Sequence, residues 1–287
     1  MTQTLIVGCG YLGQRLAPSL PQTHLSGIIR THHKTLKRLG IEPLAWDLDQ
    51  PGGYPKLPLE TEVYYFLAPP SQGQTDTRLA HFLTHQTQLR KILLLSTTGV
   101  YGDCLGAWVD ETQPPKPSVD RAFRRLHAEQ SLIQHCQTHA IPYNIIRVPG
   151  IYGPNKLPIA RIQARKPMVC DAESPFSNRI HVDDLTRLCL TVMQHAPSGE
   201  VYNAADGHPT TMCDYFHRVA EHCGLQPPPE ITLAQAQHQV SAGMLSYLQE
   251  SRRICIDKIT HQLDFHCRYP TLAHGLHQCH HDALKTD

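Results

Sequence analysis

Short apolar runs alternate with longer stretches of helical periodicity along the first two hundred residues. Apolar residues recur at helical spacing in residues 74–90, 119–137 and 181–194. Strands that alternate with helices predict an α/β protein with a doubly wound parallel sheet and helices on both faces. The predicted strands are TLIV (4–7), LSGIIR (25–30), PLAWD (43–47, ending near Asp47), VYYFLAPP (63–70), KILLLSTTGVYG (91–102) and YNIIRVPGIYGP (143–154).

The composition narrows the function classes. The 287 residues carry 26 Lys+Arg against 25 Asp+Glu, a net charge of +1. Such a neutral chain has no overall field that would favour nucleic acid or an anionic membrane. Hydrophobic residues make up 40%, enough for a core, and no run approaches the roughly 20 apolar residues of a membrane span. We therefore expect a cytoplasmic protein that binds a small molecule, with a homodimer as the default assembly.

Twenty histidines and ten cysteines raise the question of a metal site. The cysteines form no C-x-x-C pair, and Cys189 lies in the apolar segment LTRLCLTVM, where a buried thiol is expected. The densest cluster is a zinc candidate, but it lies at the C-terminal end, where chains usually fray. We therefore predict a polar tail there and no metal site. The cluster comprises His274, His277, Cys279, His280 and His281.

The clearest chemical motif is a glycine-rich turn directly after the first strand. Gly8, Gly10 and Gly13 form G-x-G-x-x-G between that strand and the following helix. In a Rossmann fold the three glycines permit the tight turn, the close approach to a pyrophosphate and the packing of helix on strand. The motif predicts a dinucleotide site that includes the intervening Tyr11 and Leu12. The alternative is a glycine-rich turn without a ligand.

The end of the second strand indicates which dinucleotide is bound. An acidic residue there holds the ribose hydroxyls of NAD, whereas an arginine accommodates the 2′-phosphate of NADP. Arg30 has this position, and the chain between Gly13 and Glu42 contains no Asp or Glu. Because a guanidinium pairs well with a phosphate, we predict NADP, with NAD as the alternative. Arg30 as a solvated strand end is the competing interpretation.

Several segments, in order along the chain, resemble the extended short-chain dehydrogenase/reductase group, the NAD-dependent epimerase/dehydratase family. The resemblance implies that Asp47 and Leu48 lie near the adenine and that Ala68 and Pro69 line the cofactor groove. It also implies a Rossmann fold with a small C-terminal substrate lobe. The matching segments are VGCGYLG (7–13), WDLD (46–49), FLAPP (66–70), STTGVYGD (96–103), IIRVPGIYGP (145–154), IHVDDL (180–185) and VYNAADG (201–207).

The distribution of proline indicates a second, smaller lobe. The alternation of strands and helices becomes irregular over residues 155–180 and from about 207 onward, where prolines cluster. Pro18, by contrast, falls inside the first helix and should shorten or kink it. We predict a Rossmann domain over residues 1–154 plus about 181–206. The smaller lobe then comprises about 155–180 and 207–287.

Active members of the family use a Ser or Thr with a Tyr and a Lys four residues apart on one helix. Counting back from VYG places Thr97 at the Ser/Thr position, where its hydroxyl would polarise the reacting oxygen. Counting back from Glu129, which often follows the Lys by four residues, gives Arg125 for the Lys and Arg121 for the Tyr. Arg121 is a poor acid or base because its pKa stays above about 12.

Arg125 can still donate hydrogen bonds to a ribose, and two cations four residues apart favour an anion between them. That anion is a ligand, or Glu129 compensates Arg125; two solvated arginines are the other interpretation. Tyr101 and Tyr152 are candidate substitute acids at strand ends. Tyr152 and Lys156 match Y-x-x-x-K, but Gly and Pro between them oppose a helix.

The segment before IHV also departs from the family. Sugar-nucleotide epimerases tend to carry an Arg three residues before the Ile, where this chain has Ser177, and Arg179 lies one residue before it. His181 is more simply structural, and Asp183 and Asp184 are expected to cap the helix that follows. We therefore predict an NAD(P)-binding oxidoreductase or isomerase for a small polar or nucleotide-linked substrate. A non-catalytic dinucleotide sensor or assembly factor is the alternative.

Overall fold

The computed structural model describes residues 2–29, 33–50, 52, 54 and 56–283, with side chains omitted at 33 and 280–283. The strands are β1 (Gln3–Val7), β2 (Leu25–Ile28), β3 (Glu42–Leu44), β4 (Thr61–Tyr65), β5 (Lys91–Thr97), β6 (Trp108–Val109), β7 (Tyr143–Val148), β8 (Gly150–Tyr152), β9 (Met168–Val169), β10 (Phe176–Ser177), β11 (Arg179–His181), β12 (Val201–Asn203), β13 (Thr210–Thr211), β14 (Glu230–Ile231) and β15 (Arg253–Ile254).

The helices range from one short turn to the long α4. In chain order they are α1 (Tyr11–Leu16), α2 (His33–Arg38), α3 (Thr77–Leu83), α4 (Asp120–His139), α5 (Ile159–Gln163), α6 (Val182–His195), α7 (Met212–His222), α8 (Leu233–Gln239), α9 (Ala242–Leu248), α10 (Asp257–Leu263) and α11 (Leu272–Ala283).

Seven strands form the central sheet in the order β12-β7-β5-β4-β1-β2-β3. The pairs β1–β2, β1–β4, β2–β3 and β4–β5 are parallel. Because the order reverses direction after β3, the carboxyl ends of β1 and β4 lie side by side, where a doubly wound sheet binds ligands. The predicted α/β Rossmann fold is confirmed.

The largest core lies in the part of the chain that contains this sheet. Val63 and Tyr65 of β4 pack with Phe82 of α3 and with Ala128 and Leu132 of α4, all of them buried. Alternate residues of a strand point to opposite faces, so the continuous apolar sequence of β4 and β5 reflects burial on both sides.

Lys91, at the start of β5, closes one helix end. Its Nζ donates to the carbonyls of Val192, Met193 and Ala196 at 2.9, 3.1 and 3.0 Å. These carbonyls lie in the last turn of α6 and just after it, where a helix runs out of its own N–H donors, so an ammonium adds hydrogen bonds and complements the helix dipole. Partial burial lowers the pKa of Lys91.

Proline accounts for two differences between predicted and observed elements. The single strand expected over 143–154 is two strands, because Pro149 lacks the N–H that a continuous ladder needs. Pro18 ends α1 at Leu16 and continues it as a 3-10 turn over Ala17–Ser19, as expected. Several elements end earlier than predicted: β3 stops at Leu44, β4 at Tyr65 and β5 at Thr97, and the helix expected at 74–90 is α3 alone.

The chain divides into two compact units. Unit 1 comprises Met1–Val100, Pro117–Arg147 and Thr186–Tyr202; unit 2 comprises Tyr101–Lys116, Val148–Leu185 and Asn203–Asp287. Unit 2 is larger than the lobe we predicted, because short strands bind sequence-distant segments together within it. β6 pairs with β15, and β8 pairs with β11, both in parallel.

Unit 2 has its own apolar clusters. One of them packs Tyr152, Ile162 and Met168 against Phe216 of α7 and Leu276 of α11. The C-terminal segment, expected to be a frayed polar tail, is helical in α11, and its apolar face explains why: Leu276 and Cys279 are buried. None of the helices in the described part of the chain is both long and apolar enough to span a bilayer.

Candidate functional site

The glycine turn of unit 1 has a geometry that only small residues allow. Gly8 has φ +92°, and a Cβ there would lie 2.7 Å from the backbone nitrogen of Leu67. A Cβ on Gly13 would lie 3.0 Å from both the Gly8 carbonyl oxygen and Ile6 Cγ2. At Gly10 a Cβ would meet nothing within 4 Å, so its backbone faces open space. The turn is thus tight on two sides and open on the third, which fits a phosphate group.

A cavity of about 320 Å³ opens beside this turn. Its walls come from the carboxyl ends of β1 and β2, the loop after β3 and the loop after β4. Of the residues predicted to bind cofactor, Gly8, Gly10, Asp47, Leu48 and Ala68 line it. Cavity-lining residues that the sequence analysis did not identify are Cys9, Ile28, Ile29, Trp46, Asp49, Phe66, Leu67 and Arg78.

Arg78 is the most informative of the additional residues. Its Nε and Nη2 bind Asp49 Oδ1 and Oδ2 at 2.5 and 2.9 Å, and its Nη1 donates to the Ala68 carbonyl at 2.8 Å and to that of Pro69 at 3.3 Å. The Asp49 carboxylate raises the pKa of Arg78. One guanidinium therefore joins the loop after β3 to the loop after β4, and these loops form two walls of the cavity. We call this arrangement the Arg78 clasp.

The remaining predicted cofactor residues lie around or outside the cavity. Leu48 is only 3% exposed and contributes packing, while Asp47 is exposed and its Oδ1 accepts from the Asp49 N–H at 3.1 Å. Leu12 is buried in α1, and Tyr11 begins that helix. Arg30 lies outside the described residues, so its role remains a sequence prediction.

Thr97 is the accessible hydroxyl of the Ser-Thr-Thr segment. Ser96 and Thr98 are buried, whereas Thr97 is half-buried at the end of β5. The Thr97 Oγ1 accepts from the Gly99 N–H at 3.1 Å, which leaves its own proton for donation to a ligand. Ser96 instead donates inward to Glu129 Oε1 at 2.5 Å.

Arg125 lies between two strand ends rather than in solvent. Its Nη1 donates to the Leu95 carbonyl of β5 at 3.0 Å and, more weakly, to the Leu67 carbonyl after β4 at 3.5 Å. Burial lowers the pKa of Arg125, with a smaller opposing effect from Asp76. Arg121 is half-buried one helical turn earlier on α4. The helix thus presents two cations where active family members carry Tyr and Lys.

Glu129 does not form an ion pair with Arg125. Its carboxylate binds Arg147 of β7, with Nη2–Oε2 at 2.7 Å and Nε–Oε1 at 3.1 Å, and both side chains are buried. This ion pair joins α4 to the sheet and also receives the Ser96 hydroxyl. Glu129 therefore acts on Arg125 only as a nearby charge, which raises the Arg125 pKa slightly, and not through a direct ion pair.

A second buried polar group in unit 1 was not anticipated from the sequence. Asp76 caps α3, with its Oδ1 accepting from the Leu79 N–H at 3.1 Å, while its Oδ2 has no hydrogen-bond partner. The hydroxyl of the fully buried Tyr65 is also without a partner. Burial raises the pKa of Asp76, and the nearby Arg125 lowers it. The Asp76 charge thus acts on Arg125 without forming an ion pair.

The two candidate substitute acids are buried in unit 2. The Tyr101 hydroxyl donates to Asn203 Oδ1 at 2.8 Å, and the side chain is 1% exposed. Tyr152 is equally buried and its hydroxyl has no partner; a Cβ on Gly275 would lie 2.1 Å from it. The chain turns between Tyr152 and Lys156 instead of forming a helix, so their match to Y-x-x-x-K is coincidental.

Arg179 and Asp206 form an unusual pair of buried charges in unit 2. The Arg179 guanidinium lies 3.8 Å from the centroid of the Tyr215 ring and donates to Thr210 Oγ1 at 3.3 Å. The Asp206 N–H donates to the Arg179 carbonyl, and its Oδ1 accepts from the His208 N–H at 2.9 Å. The described ion pairs include none between these two side chains. Burial raises the pKa of Asp206 to about 7.

His181 has the structural setting expected for it. It is fully buried, with the rings of Tyr152 and Tyr269 at centroid distances of 5.3 and 4.2 Å. Asp184 lies in the first turn of α6, but its carboxylate accepts the N–H groups of Arg268 and Tyr269 at 2.8 and 2.9 Å. It therefore fixes a distant segment in addition to favouring its own helix start.

Comparisons with known proteins agree with this fold and groove. The model of the NAD dependent epimerase/dehydratase family matches residues 71–205. A conserved protein of unknown function from Silicibacter pomeroyi DSS is 32% identical over 99% of both chains, with a TM-score of 0.85. The chain belongs to the NAD dependent epimerase/dehydratase family. No curated protein matches it significantly in sequence.

More distant structures share the fold along almost the whole chain. UDP-glucuronic acid 4-epimerase from Bacillus cereus, in complex with NAD, is 18% identical over 99% of this chain and 97% of its own, with a TM-score of 0.75. The dTDP-glucose 4,6-dehydratase from Streptomyces venezuelae, with NAD and TYD bound, is 16% identical over 99% and 98%, with a TM-score of 0.79.

Proposed function

We propose that the chain is an NAD(P)-dependent oxidoreductase or isomerase of the epimerase/dehydratase type. The observation that carries this proposal is the open face of Gly10 beside a cavity at the carboxyl ends of β1 and β2. The turn is closed to a side chain at Gly8 and Gly13, and open only where a pyrophosphate would approach. A bound nicotinamide cofactor would supply hydride transfer.

The residues of unit 1 would position this cofactor. The Gly8–Gly13 turn would hold the phosphates, and the Arg78 clasp would fix the loops around the adenosine. Arg125, at the Lys position on α4, would donate to the nicotinamide ribose with its remaining N–H groups. Thr97 would donate its proton to the reacting oxygen of the substrate.

NADP is the proposed cofactor because Arg30 follows β2, where a guanidinium can pair with a 2′-phosphate. We expect Arg30→Asp to weaken NADPH binding at least tenfold while changing NADH affinity little. Isothermal titration of both cofactors measures this selectivity. An equal loss of affinity for both cofactors, or no loss at all, would refute the NADP preference but would not contradict the fold.

The proposed substrate is a small polar or nucleotide-linked molecule. Relatives of the same fold are named for UDP-glucuronic acid and dTDP-glucose, both nucleotide sugars. The chain has Ser177 where such epimerases tend to carry an Arg, so the diphosphate contact would differ. A panel of nucleotide sugars and small hydroxy or keto compounds, assayed for NADPH turnover, tests the reaction class.

A non-catalytic dinucleotide sensor is the second candidate, favoured by Arg121 and Arg125 in place of Tyr and Lys. The discriminating variants are Thr97→Val and Tyr101→Phe. The enzyme proposal predicts that Thr97→Val lowers turnover about 10²-fold with unchanged cofactor affinity. It predicts a comparable loss for Tyr101→Phe if Tyr101 replaces the missing acid. The sensor hypothesis predicts cofactor binding with no turnover of any panel member in the unmodified protein.

A further inference from the structure

Three potential metal ligands meet in unit 2. Cys213 and His217 lie one turn apart on the same face of α7, and Glu230 begins β14. Their ligand atoms, a thiol sulfur, a ring nitrogen and a carboxylate oxygen, all lie within 4.8 Å of one another. His217 Nε2 is 3.2 Å from Glu230 Oε1. The cluster therefore joins the three types of side-chain donor that bind zinc in proteins.

The exposure of the three side chains suits entry of an ion from one side. Cys213 is fully buried, whereas the side chains of His217 and Glu230 are each 42% exposed. A buried thiol thus lies beneath two partly exposed partners. Tetrahedral zinc places its donors about 3.3–3.8 Å apart, given bond lengths of about 2.0–2.3 Å. The observed spacing requires side-chain adjustments of about 1.5 Å or less at the two exposed donors.

The surroundings of Cys213 favour a cation. The carboxylates of Glu230, Asp171 and Asp214 are near enough to act electrostatically on its thiol. A divalent ion bound there would be stabilised by these carboxylates, and its charge would stabilise the Cys213 thiolate.

A strand pair fixes the backbone of Glu230. β9 and β14 pair in parallel, with Glu230 opposite Met168. The N–H of Cys170, the residue after β9, donates to the Ile231 carbonyl at 2.9 Å and strengthens this pairing. Among the described residues the cluster comprises three donors, which leaves the fourth position of a tetrahedral ion to water.

We propose that Cys213, His217 and Glu230 bind a Zn²⁺ ion, with water as the fourth ligand. The ion joins α7 to β14. Binding forms one zinc–thiolate bond and releases the thiol proton of Cys213 to solvent. The proposal is independent of the cofactor chemistry and revises our expectation, from sequence alone, that the chain holds no metal.

The test titrates zinc into metal-free full-length protein in competition with a chromophoric chelator. We expect one equivalent per chain and a rise in Tm on zinc addition. His217→Ala and Cys213→Ser should each weaken zinc binding at least about 100-fold, since even partners one step from a metal cost about 10- to 100-fold. Co²⁺ should give a thiolate-to-metal charge-transfer band, which Cys213→Ser abolishes.

Matched controls separate this site from adventitious binding. Cys223→Ser changes another thiol of the same chain segment, and His238→Ala removes an exposed histidine; neither should alter zinc affinity. His274→Ala/His277→Ala tests the histidine-rich C-terminal helix. Because His217 is half-exposed, His217→Ala leaves the core intact and keeps the test valid if Cys213→Ser misfolds. Substoichiometric zinc, unchanged affinity in His217→Ala, or loss of binding in His274→Ala/His277→Ala would each overturn the proposal.

Discussion

The two units differ in whether their buried charged side chains bind each other. In unit 1, Glu129 and Arg147 form a short bidentate ion pair that also accepts a serine hydroxyl. In unit 2, Arg179 and Asp206 are joined through their backbones, but their side chains face other groups: a tyrosine ring and a loop N–H. The first arrangement satisfies both charges internally, and the second does not.

This difference distinguishes a structural ion pair in unit 1, the scaffold, from a titratable carboxylate in unit 2. In unit 1 the buried carboxylate and guanidinium bind each other and join α4 to the sheet. Asp206 instead has a pKa near 7, so its charge changes within the physiological range. Unit 1 thus holds its buried charges in a closed ion pair, whereas Asp206 makes the polar core of unit 2 sensitive to pH.

The largest expected effect comes from breaking the ion pair of unit 1. Glu129→Gln leaves the Arg147 guanidinium buried without its counter-ion, which typically costs about 3–5 kcal/mol. Denaturant unfolding measures the loss. The control is Glu62→Gln, which removes a half-buried partner of the exposed Arg90 and should cost less than about 1 kcal/mol. A loss for Glu129→Gln as small as the control's would mean that the pair is not part of the scaffold.

Asp206 provides the converse test in unit 2. Its pKa of about 7 in the folded protein is above the ordinary 3.8, so the folded state binds more protons than the unfolded state between these values. Stability therefore falls as pH rises through this window, at about 1.4 kcal/mol per pH unit. We expect a contribution of about 2 kcal/mol between pH 5 and pH 7 that Asp206→Asn removes.

Unfolding midpoints at pH 5, 6 and 7 measure this contribution. The difference in unfolding free energy between Asp206→Asn and the unmodified chain should grow with pH. Asp214→Asn, at a half-exposed carboxylate paired with Arg218, is the matched control and should leave the pH dependence unchanged. A constant difference across the pH range would show that Asp206 is already charged at pH 5.

A smaller effect is expected at the Arg78 clasp. Arg78→Ala and Asp49→Ala each release the same two loops, so their effects on NADPH affinity should overlap rather than add. We expect each single variant to bind about five- to tenfold more weakly, with a coupling energy of about 1 kcal/mol in the double-mutant cycle. Arg90→Ala, an exposed arginine of the same unit, is the control. Additive losses would mean that Arg78 and Asp49 contact the ligand independently.

The fold was largely predictable because its signals are local. The apolar runs of β1, β4 and β5 and the periodicity of α4 each lie within a short window, and the glycine motif adjoins one of them. Pro149 and Pro18 act at single positions, and the effect of Pro18 could be stated in advance. The boundary of unit 2 could not, because β6–β15 pairing joins residues more than 140 positions apart.

The candidate site was predictable only in part for the same reason. Gly8, Gly10 and Gly13 are close in sequence, and the motif that they form predicts a tight turn without reference to the rest of the chain. Arg78 and Asp49 meet across 29 residues, and although Asp49 ends the WDLD segment, Arg78 belongs to no motif. Cys213 and His217 show a helical i, i+4 spacing that could have been noticed, but Glu230 enters from a separate strand. Long-range pairs of this kind leave no periodic trace in one sequence.

The most direct test of the central claim is dinucleotide binding at the open face of Gly10. A Cβ there meets nothing within 4 Å and the φ of Gly10 is −82°, so Gly10→Val should fold normally. Its side chain would fill the space proposed for the pyrophosphate. Gly243→Val is the control, since a Cβ on Gly243 also meets no neighbour. We predict that calorimetric titration with NADPH gives one site per chain in the unmodified protein and in Gly243→Val, and none in Gly10→Val. Undiminished binding by a folded Gly10→Val protein, or no binding of NADPH or NADH by the unmodified chain, would contradict the account.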